Sequence, residues 1–462
     1  MGGVKLHTKI LLAMGLGVLV GWGLQAFVEG GDVVVTVEKA GLTTEMSVLD
    51  PESSRAAALT PFVAIADVFM NLLKMLIVPL VLTSIVTGVA GIAGGREFGR
   101  LGVKTLGYYV MTSMLAIVTG LVLINLFQPG WVSEGEEPAL ALAIPETFDP
   151  GPGGGLSGIL DRMVPDNVFS ALGENGELLK IIVFALIFGY CIGRAASPHR
   201  ERLSGLFESA FEVMMTVAAL VLKLIPIGVF ALVVKVVGET GFDAFRPLLT
   251  YMGVVFLALA FHAAVVLPLL LRTLGKVSPW QWFRAMSPAL MTAFSTSSSS
   301  ITLPVTMECV EKRGNVSNKH SSFVLPLGAT VNMDGTALYE CVGVIFLSQY
   351  YASVGDFDLT LGKQLFIVVT ALLASIGAAG IPSAGLVMMT AILSALGLPT
   401  EGALLLLAID RPLDMMRTMV NIWSDSCGAA IIARSEGDDV LAVPVPAGAT
   451  LAAPEGGGED AR

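Results

Sequence analysis

The chain has 462 residues, of which 54% are hydrophobic and only 14% charged, and its formal net charge is −11. Ordinary soluble domains are about 25% charged, so this composition excludes a large soluble core and implies a helical membrane protein with several spans. The acidic balance argues against nucleic acid as a partner. The four cysteines and four histidines are dispersed and form neither a disulfide framework nor a zinc motif.

Taken in chain order, the start MGGVKLHTKILLAMGLGVLVGWGL looks like a secretory leader but lacks an A-x-A-like cleavage site, so it reads as an uncleaved first span. Apolar helical spans are expected at 8–27, 61–92, 101–128, 178–194, 203–236 and 247–271, before a broken apolar region at 280–434. The stretch 130–166 is rich in Gly, Pro and acid and reads as a loop outside the membrane, and the Gly/Pro/Ala-rich end 436–462 as a disordered tail. With alternating spans, Lys5 and Lys9, Arg96, Arg100 and Lys104, Arg194, Arg200 and Arg202, Arg272, Lys276 and Arg284, and Lys312, Arg313 and Lys319 share one side. Glu29, Asp32, Glu38, Glu45, Glu134, Glu136 and Glu137 lie opposite. The positive side is cytoplasmic, which puts the N-terminus inside an integral plasma (inner) membrane.

The broken region contains a pseudo-repeat. SPALMTAFSTSSSSITLPVTMECVEK is interrupted by serines and Pro304 and precedes a helix with NMDGT. IVVTALLASIGAAGIPSAGLVMMTAIL is interrupted by Gly377, Gly380, Pro382 and Gly385 and precedes a polar-faced helix. Irregular backbone at membrane depth is tolerated where it is buried or lines a cavity. Paired interrupted segments point to the binding site of a transporter with inverted repeats. The plainer alternative is two ordinary spans with packing glycines.

The polar-faced helix is the most informative segment. Asp410, Asp414, Arg417, Thr418, Asn421 and Asp425 fall within an arc of roughly 100° on one helix face. Each ionised group inside a membrane costs about 2.5–3.5 kcal/mol, so such a stripe faces a protein interior or a wet cavity. Arg417 suits a carboxylate, and Asp414, one turn earlier, suits an ammonium group. Together they fit an acidic amino acid; the alternative is an internal Asp414–Arg417 ion pair with no ligand. Asn421 and Asp425 offer hard oxygen donors for a small cation. In GATVNMDGTALYE, Gly335 beside Asp334 is expected to unwind the helix and free carbonyls, which with Asn332 and Asp334 resemble a sodium cage. Glu340 sits in an apolar context that penalises the charged form, making it either a proton carrier or the owner of a static hydrogen bond. The tract Ser295 and Ser297–Ser300 offers hydroxyls and freed N–H groups for an anion.

The segments SSSSITLPVTM, LPLGATVNMDGTALYE, SIGAAGIPSAGL and DRPLDMMRTMVNIWSDS closely resemble the signatures of the glutamate/aspartate transporter family, the dicarboxylate/amino acid:cation symporters. The likeness runs from the first span to about residue 436 and leaves out the tail and the 130–160 loop. It implies an all-α polytopic membrane protein with eight transmembrane helices plus two re-entrant helical hairpins, forming a homotrimer among membrane lipid and working as an elevator-type transporter. By resemblance, 1–130 holds scaffold helices 1–2 and transport-domain helix 3. Residues 131–177 hold the outer loop and the broken start of helix 4, 178–246 scaffold helices 4–5, and 247–279 helix 6. The first hairpin and helix 7 occupy 280–350, the second hairpin and helix 8 occupy 351–435, and the tail follows at 436–462.

The resemblance also implies site residues. Ser298 and Ser299, Thr336 and Asn421 would hold the main carboxylate, Asp414 and Thr418 the amino group, and Arg417 the side-chain carboxylate. The tip Ile381, Pro382, Ser383, Ala384 and Gly385 would cover the substrate. One sodium ion would sit at Gly328, Asn332, Asn421 and Asp425. A second would use Thr330, Met333, Ser375, Ile376 and Ala378, and a third Tyr109, Thr112, Ser113, Asn332 and Asp334. Glu340 matches a proton-carrying glutamate of animal relatives. The co-transported ions implied are therefore sodium and a proton, with no organic cofactor. Relatives carry a second arginine at the position of Ser297 or of Met415. Its lack at both positions alters the charge balance near Asp410 and puts potassium counter-transport in question. The competing readings are a C4-dicarboxylate carrier, in which Asp414 would be left unpaired, and a ligand-gated channel, which cannot concentrate its ligand. An intramembrane serine hydrolase has no histidine near the serine tract to support it.

Overall fold

The computed structural model describes residues 6–39, 42–93, 99–132, 164–173, 177–242, 245–354, 357–377, 384–400 and 402–441. The helices are α1 (Leu6–Phe27), α2 (Ser54–Ala93), α3 (Gly99–Phe127), α4 (Val168–Gly173), α5 (Leu178–Arg194), α6 (His199–Leu222) and α7 (Ile225–Thr240). After them come α8 (Phe245–Phe261), a π-helical turn (His262–Val266), α9 (Leu267–Thr273), α10 (Pro279–Thr296) and α11 (Ser299–Glu308). The last are α12 (Asn318–Val331), α13 (Asp334–Val354), α14 (Leu361–Gly377), α15 (Ala384–Ala395) and α16 (Gly402–Ser435). Among the described residues, five helical stretches are long and apolar enough to cross a membrane: Thr8–Phe27, Ser54–Gly91, Arg100–Phe127, His199–Val221 and Arg246–Thr273. Exposed apolar side chains such as Leu19, Val68, Val103 and Leu206 give these helices faces suited to lipid.

Two features depart from the sequence reading. The stretch after α1 is not wholly irregular: β1 (Asp32–Lys39) pairs antiparallel with β2 (Leu42–Leu49), in a register running from Asp32↔Leu49 to Lys39↔Leu42. Its β-branched residues, in DVVVTVEK and LTTEMSVL, favour a pleated pair. The span expected at 203–236 is two helices. Pro226 lies in the first turn of α7, where its missing N–H is harmless, whereas inside a continuous helix it would break a hydrogen bond. The chain turns at Lys223 and Leu224, whose N–H groups donate to Leu220 and Val221 carbonyls at 3.2 and 2.9 Å.

α1 packs along α7, and α2 lies against α5, α6 and α7. α13 packs against α3, α8, α14, α15 and α16. All but one residue of α13 are buried, the pattern of a helix at the centre of a bundle. α16 also packs on α10 and α12. The site is therefore built where the two most enclosed helices meet.

The chain just beyond α16 is held rather than irregular, in contrast with the disorder expected from residue 436. The Glu436 carboxylate accepts from Lys104 at 2.5 Å and from Arg100. Asp438 accepts from the Ser317 N–H and lies against His320 Nδ1, both at 2.8 Å. The Leu441 N–H reaches the Gly314 carbonyl at 2.8 Å. The contacts from Lys104 and Arg100 hold the Glu436 carboxyl below its ordinary range. Burial raises the Asp438 carboxyl, but bonds from His320 and Ser317 outweigh it and hold it low as well. Native pKa values below the unfolded ones make this contact stabilising above about pH 4, and the contribution is lost as pH falls through the lowered values.

The α1–α7 contact rests on small residues. A Cβ at Gly21 would lie 2.8 Å from Val237 Cβ and 2.9 Å from the Val234 carbonyl oxygen, and Gly17 meets Val233 in the same way. Small residues one turn apart let membrane helices approach closely. Gly21→Leu is expected to cost about 1–3 kcal/mol by overpacking, read as a lower melting temperature of the detergent-solubilised protein; an unchanged melting temperature would contradict this packing.

Candidate functional site

The polar stripe lies on one face of α16, and every member is buried: Asp410 1%, Asp414 5%, Arg417 1%, Thr418 5%, Asn421 4% and Asp425 1% exposed. The Arg417 Nη2 donates to Asp410 Oδ1 at 2.9 Å and to Asp414 Oδ1 at 2.8 Å. Its guanidinium carbon sits 3.8 Å from the Tyr339 ring centroid, a cation–π contact. Among the described residues, Arg417 Nε and Nη1 have no hydrogen-bond partner. The internal ion pair weighed from the sequence is therefore present, but it uses only one nitrogen of the fork. Buried donors are almost always satisfied, so two unused ones on a fully buried arginine mark a place for an acceptor. Gly385 adjoins it, since a Cβ there would lie 2.5 Å from Arg417 Nη1.

Next along the face, Asn421 fastens α16 to α13. Its Oδ1 accepts from the Gly335 N–H at 2.7 Å and its Nδ2 donates to Thr336 Oγ1 at 3.3 Å. The Thr418 hydroxyl bonds its own helix, at the Asp414 carbonyl. The interruption expected at Gly335 falls instead at Asn332–Met333, between α12 and α13. Gly335 is helical and serves close approach: a Cβ there would lie 2.6 Å from the Arg417 carbonyl oxygen.

A second cluster forms around that break. Asp334, fully buried, accepts from Ser113 Oγ at 2.7 Å and Ser424 Oγ at 2.6 Å, and its Oδ2 lies 3.1 Å from His262 Nε2. Asn332 donates through Nδ2 to Ser424 Oγ at 3.0 Å and Asp425 Oδ1 at 2.9 Å, and its Oδ1 accepts from Thr112 at 3.3 Å. The Tyr109 hydroxyl donates to the Val324 carbonyl at 2.6 Å. Gly328 faces both Asp425 and Tyr109. The structure thus gathers Tyr109, Thr112, Ser113, Gly328, Asn332, Asp334 and Asp425. Two carboxylates with amide and hydroxyl oxygens make a donor set suited to hard cations.

The first interrupted segment is a pair of helices, α10 and α11, joined at Ser297 in the left-handed conformation (φ 51°, ψ 38°) and at extended Ser298. Ser298 caps α11 by accepting from the Ile301 N–H. Ser298 at the cap and Ser299 in the first turn are buried, and α11 packs against α16. Of the set expected for the second sodium ion, the Thr330 and Ser375 hydroxyls bond carbonyls of their own helices, at Leu327 and Leu372. Met333 is buried and Ile376 half-buried. Ala378, Ile381, Pro382 and Ser383 lie outside the described residues, as does the side chain of Ala384.

The model of the sodium:dicarboxylate symporter family matches residues 6–435. The chain belongs to this family. It is 32% identical to the proton/glutamate-aspartate symporter of Escherichia coli (strain K12), over 94% of this chain and 93% of that one. It is 32% identical to excitatory amino acid transporter 3 of Homo sapiens (85% and 82%) and 34% identical to the proton/sodium-glutamate symport protein of Bacillus subtilis (strain 168) (81% and 86%). It is an integral membrane protein, nearly all helical.

Three residues of this symporter's site escaped the sequence reading. Ser424 and Arg411 flank the stripe, one on each edge, and a helical wheel widened by one position on either side includes both. Arg411 is buried (8% exposed), and its Nη1 lies 3.3 Å from Asp414 Oδ2. It gives this chain a second guanidinium at neither of the positions, Ser297 and Met415, where the resemblance places one. His262 is a lone ionisable residue in an apolar run, the signal that singled out Asp414. It begins the π-helical turn, and π-bulges gather at functional sites.

The charge arrangement makes a stability prediction. Arg417→Ala removes the guanidinium that both buried carboxylates, Asp410 and Asp414, contact, an expected loss of about 3–5 kcal/mol. Asp410→Asn added to it removes one of the two buried carboxylate charges that lose this guanidinium, so the double variant should melt higher than Arg417→Ala alone. A double variant melting lower would refute the pairing.

Proposed function

We propose that the protein is a secondary active symporter that imports an acidic amino acid, L-aspartate or L-glutamate, coupled to sodium ions and a proton. The observation that carries this reading is that Nε and Nη1 of buried Arg417 have no hydrogen-bond partner among the described residues, one helical turn from the Asp414 carboxylate. These groups recognise a carboxylate and an ammonium on one small molecule. The names of the Escherichia coli, Homo sapiens and Bacillus subtilis relatives agree with it. Ser298, Ser299, Thr336, Asn421 and Thr418 complete the substrate site, and residues 381–385 close it. The oxygen-rich cluster at Asp334, Asn332 and Asp425, with Tyr109, Thr112, Ser113 and Gly328, binds sodium. A further ion lies among Thr330, Met333, Ser375, Ile376 and Ala378.

Glu340 carries the proton. It is fully buried, and neither carboxylate oxygen has a hydrogen-bond partner among the described residues. An ionised carboxylate without a partner is expensive to carry through the interior, so it travels with its proton. The carrier sits in the plasma (inner) membrane as a homotrimer of eight-span protomers with the N-terminus cytoplasmic. The bundle around α13 and α16 slides as an elevator past a scaffold that includes α1, α2 and α5–α7.

Uptake of labelled L-aspartate and L-glutamate into proteoliposomes tests this. An inward sodium gradient should drive accumulation above equilibrium, which Arg417→Cys should abolish for acidic amino acids. Equilibration without accumulation would indicate a channel, and transport of succinate alone a dicarboxylate carrier. Glu340→Gln is expected to keep sodium-driven uptake but lose the stimulation of wild-type uptake by external acid; full retention of that stimulation would remove Glu340 from the proton path.

A further inference from the structure

The apolar span Arg246–Thr273 ends in a tight connection, residues 274–278, that leads into α10. Gly275 and Val277 turn inward. A Cβ on Gly275 would lie 3.0 Å from Ile431, and Val277 is buried with its N–H on the Leu271 carbonyl at 3.3 Å. Lys276 between them is exposed and left-handed, with φ 52°, a strained backbone for a residue with a Cβ. Strain of this kind collects at ligand sites. Arg272, in the last turn of α9, and Arg284, in the second turn of α10, are exposed as well, and α9 packs on α10.

These three cations lack a counter-charge. Among the described residues none of them forms an ion pair. The carboxylates of this end of the molecule are already engaged. Glu308 accepts from Lys312 at 3.0 Å, and Glu311 from Asn318 at 2.9 Å and from Ser321. Beyond α16, Asp439 accepts from Arg434 at 2.8 Å, while Glu436 and Asp438 are held by Lys104, Arg100, Ser317 and His320.

Bare aromatic surface lies beside this charge. Trp280 and Phe283 share a face of α10 with Arg284 and are 68% and 43% exposed. Their rings stack at 5.9 Å, and Phe283 meets Trp423 edge-on at 5.8 Å. The pair is thus braced from within and bare outside. Tryptophan at the end of a membrane span sits at the level of the headgroups, and Lys and Arg there attract anionic lipid. A soluble anion would answer the cations and leave the rings bare, and a zwitterionic lipid would do the reverse. An anionic phospholipid answers both.

We infer that Arg272, Lys276 and Arg284, with the Trp280–Phe283 pair, form a binding site for the headgroup of an anionic phospholipid in the adjoining leaflet. The cations pair with its phosphate and the rings lie against its glycerol and upper acyl carbons. The inference needs only the membrane placement of α8 and α9 and is independent of the substrate assigned above.

The test titrates the full chain in dodecylmaltoside with phosphatidylglycerol and, separately, with phosphatidylcholine of the same acyl chains, counting bound lipid by native mass spectrometry. Phosphatidylglycerol should bind about tenfold or more tightly, and less so as ionic strength rises. Combining Arg272→Gln, Lys276→Gln and Arg284→Gln should weaken it by about a hundredfold, about fivefold for each cation removed, and leave phosphatidylcholine unchanged. Arg272→Lys with Arg284→Lys keeps the charge and should keep the affinity within about threefold. A wild type that binds both lipids equally overturns the inference with no variant needed, as does a triple variant with unaltered affinity. Displacement of phosphatidylglycerol by inorganic phosphate at similar concentration would make this a free-anion site, and a smaller assembly in the triple variant would assign the face to a second copy of the chain. Either result overturns the lipid assignment.

Discussion

A guanidinium buried to 1% of its surface, as Arg417 is, needs compensating charge in a low-dielectric interior, and the cost of failing to supply it is several kcal/mol. Asp410 and Asp414 supply it from the same helix, two turns and one turn earlier, so the pairing depends on helical geometry alone and survives any movement of α16 as a body. Tyr339 covers the flat face from α13. These contacts fix Nη2 and the ring plane and leave the other two nitrogens with nothing to bind within the described protein. The arginine is held through Nη2 and its stacked face, while Nε and Nη1 have no acceptor among the described residues.

From this anchor the second cluster is reached through covalent neighbours. Gly335 lets the α13 backbone lie against the Arg417 carbonyl and donates its N–H to Asn421. Its neighbours are Asp334, centre of the oxygen-rich cluster, and Thr336, bonded to Asn421. A cation drawing on Asp334 and a ligand drawing on Asn421 or Thr336 thus act on three consecutive residues. Such contiguity is a physical route by which occupancy of one site alters the geometry of the other, and it gives ion-coupled uptake a structural basis.

Much of this was legible in the sequence because membrane physics amplifies it. Ionised residues in apolar runs announced α16, and breakers at membrane depth announced the two helix pairs. Boundaries were less legible. The β1–β2 pair was hidden because short alternating runs next to a span read as loop. The split at Lys223 was hidden because Pro226 sits within an unbroken apolar stretch. Arg411, Ser424 and His262 were missed for another reason: each becomes a site residue only by meeting a partner. Arg411 lies one position off the stripe and is drawn to it by Asp414, while His262 is 72 residues from Asp334, a separation that helix periodicity does not address.

The two clusters differ in how readily they can be emptied. Around Asp334 the donors are largely hydroxyls, from Ser113, Ser424 and Thr112. A hydroxyl both donates and accepts and rotates freely. When a cation arrives, each can swing its hydrogen away and present its oxygen, so protein hydrogen bonds are exchanged for ion contacts without moving the backbone. Arg417 has no such freedom, because a guanidinium only donates. Acceptors must be brought to it, and among the described residues the protein supplies them for one nitrogen alone. On the proposed assignment, ions enter and leave by hydroxyl rotation, whereas the arginine fork is completed by a molecule carrying its own carboxylate. That asymmetry suits a carrier that must release both but select only one.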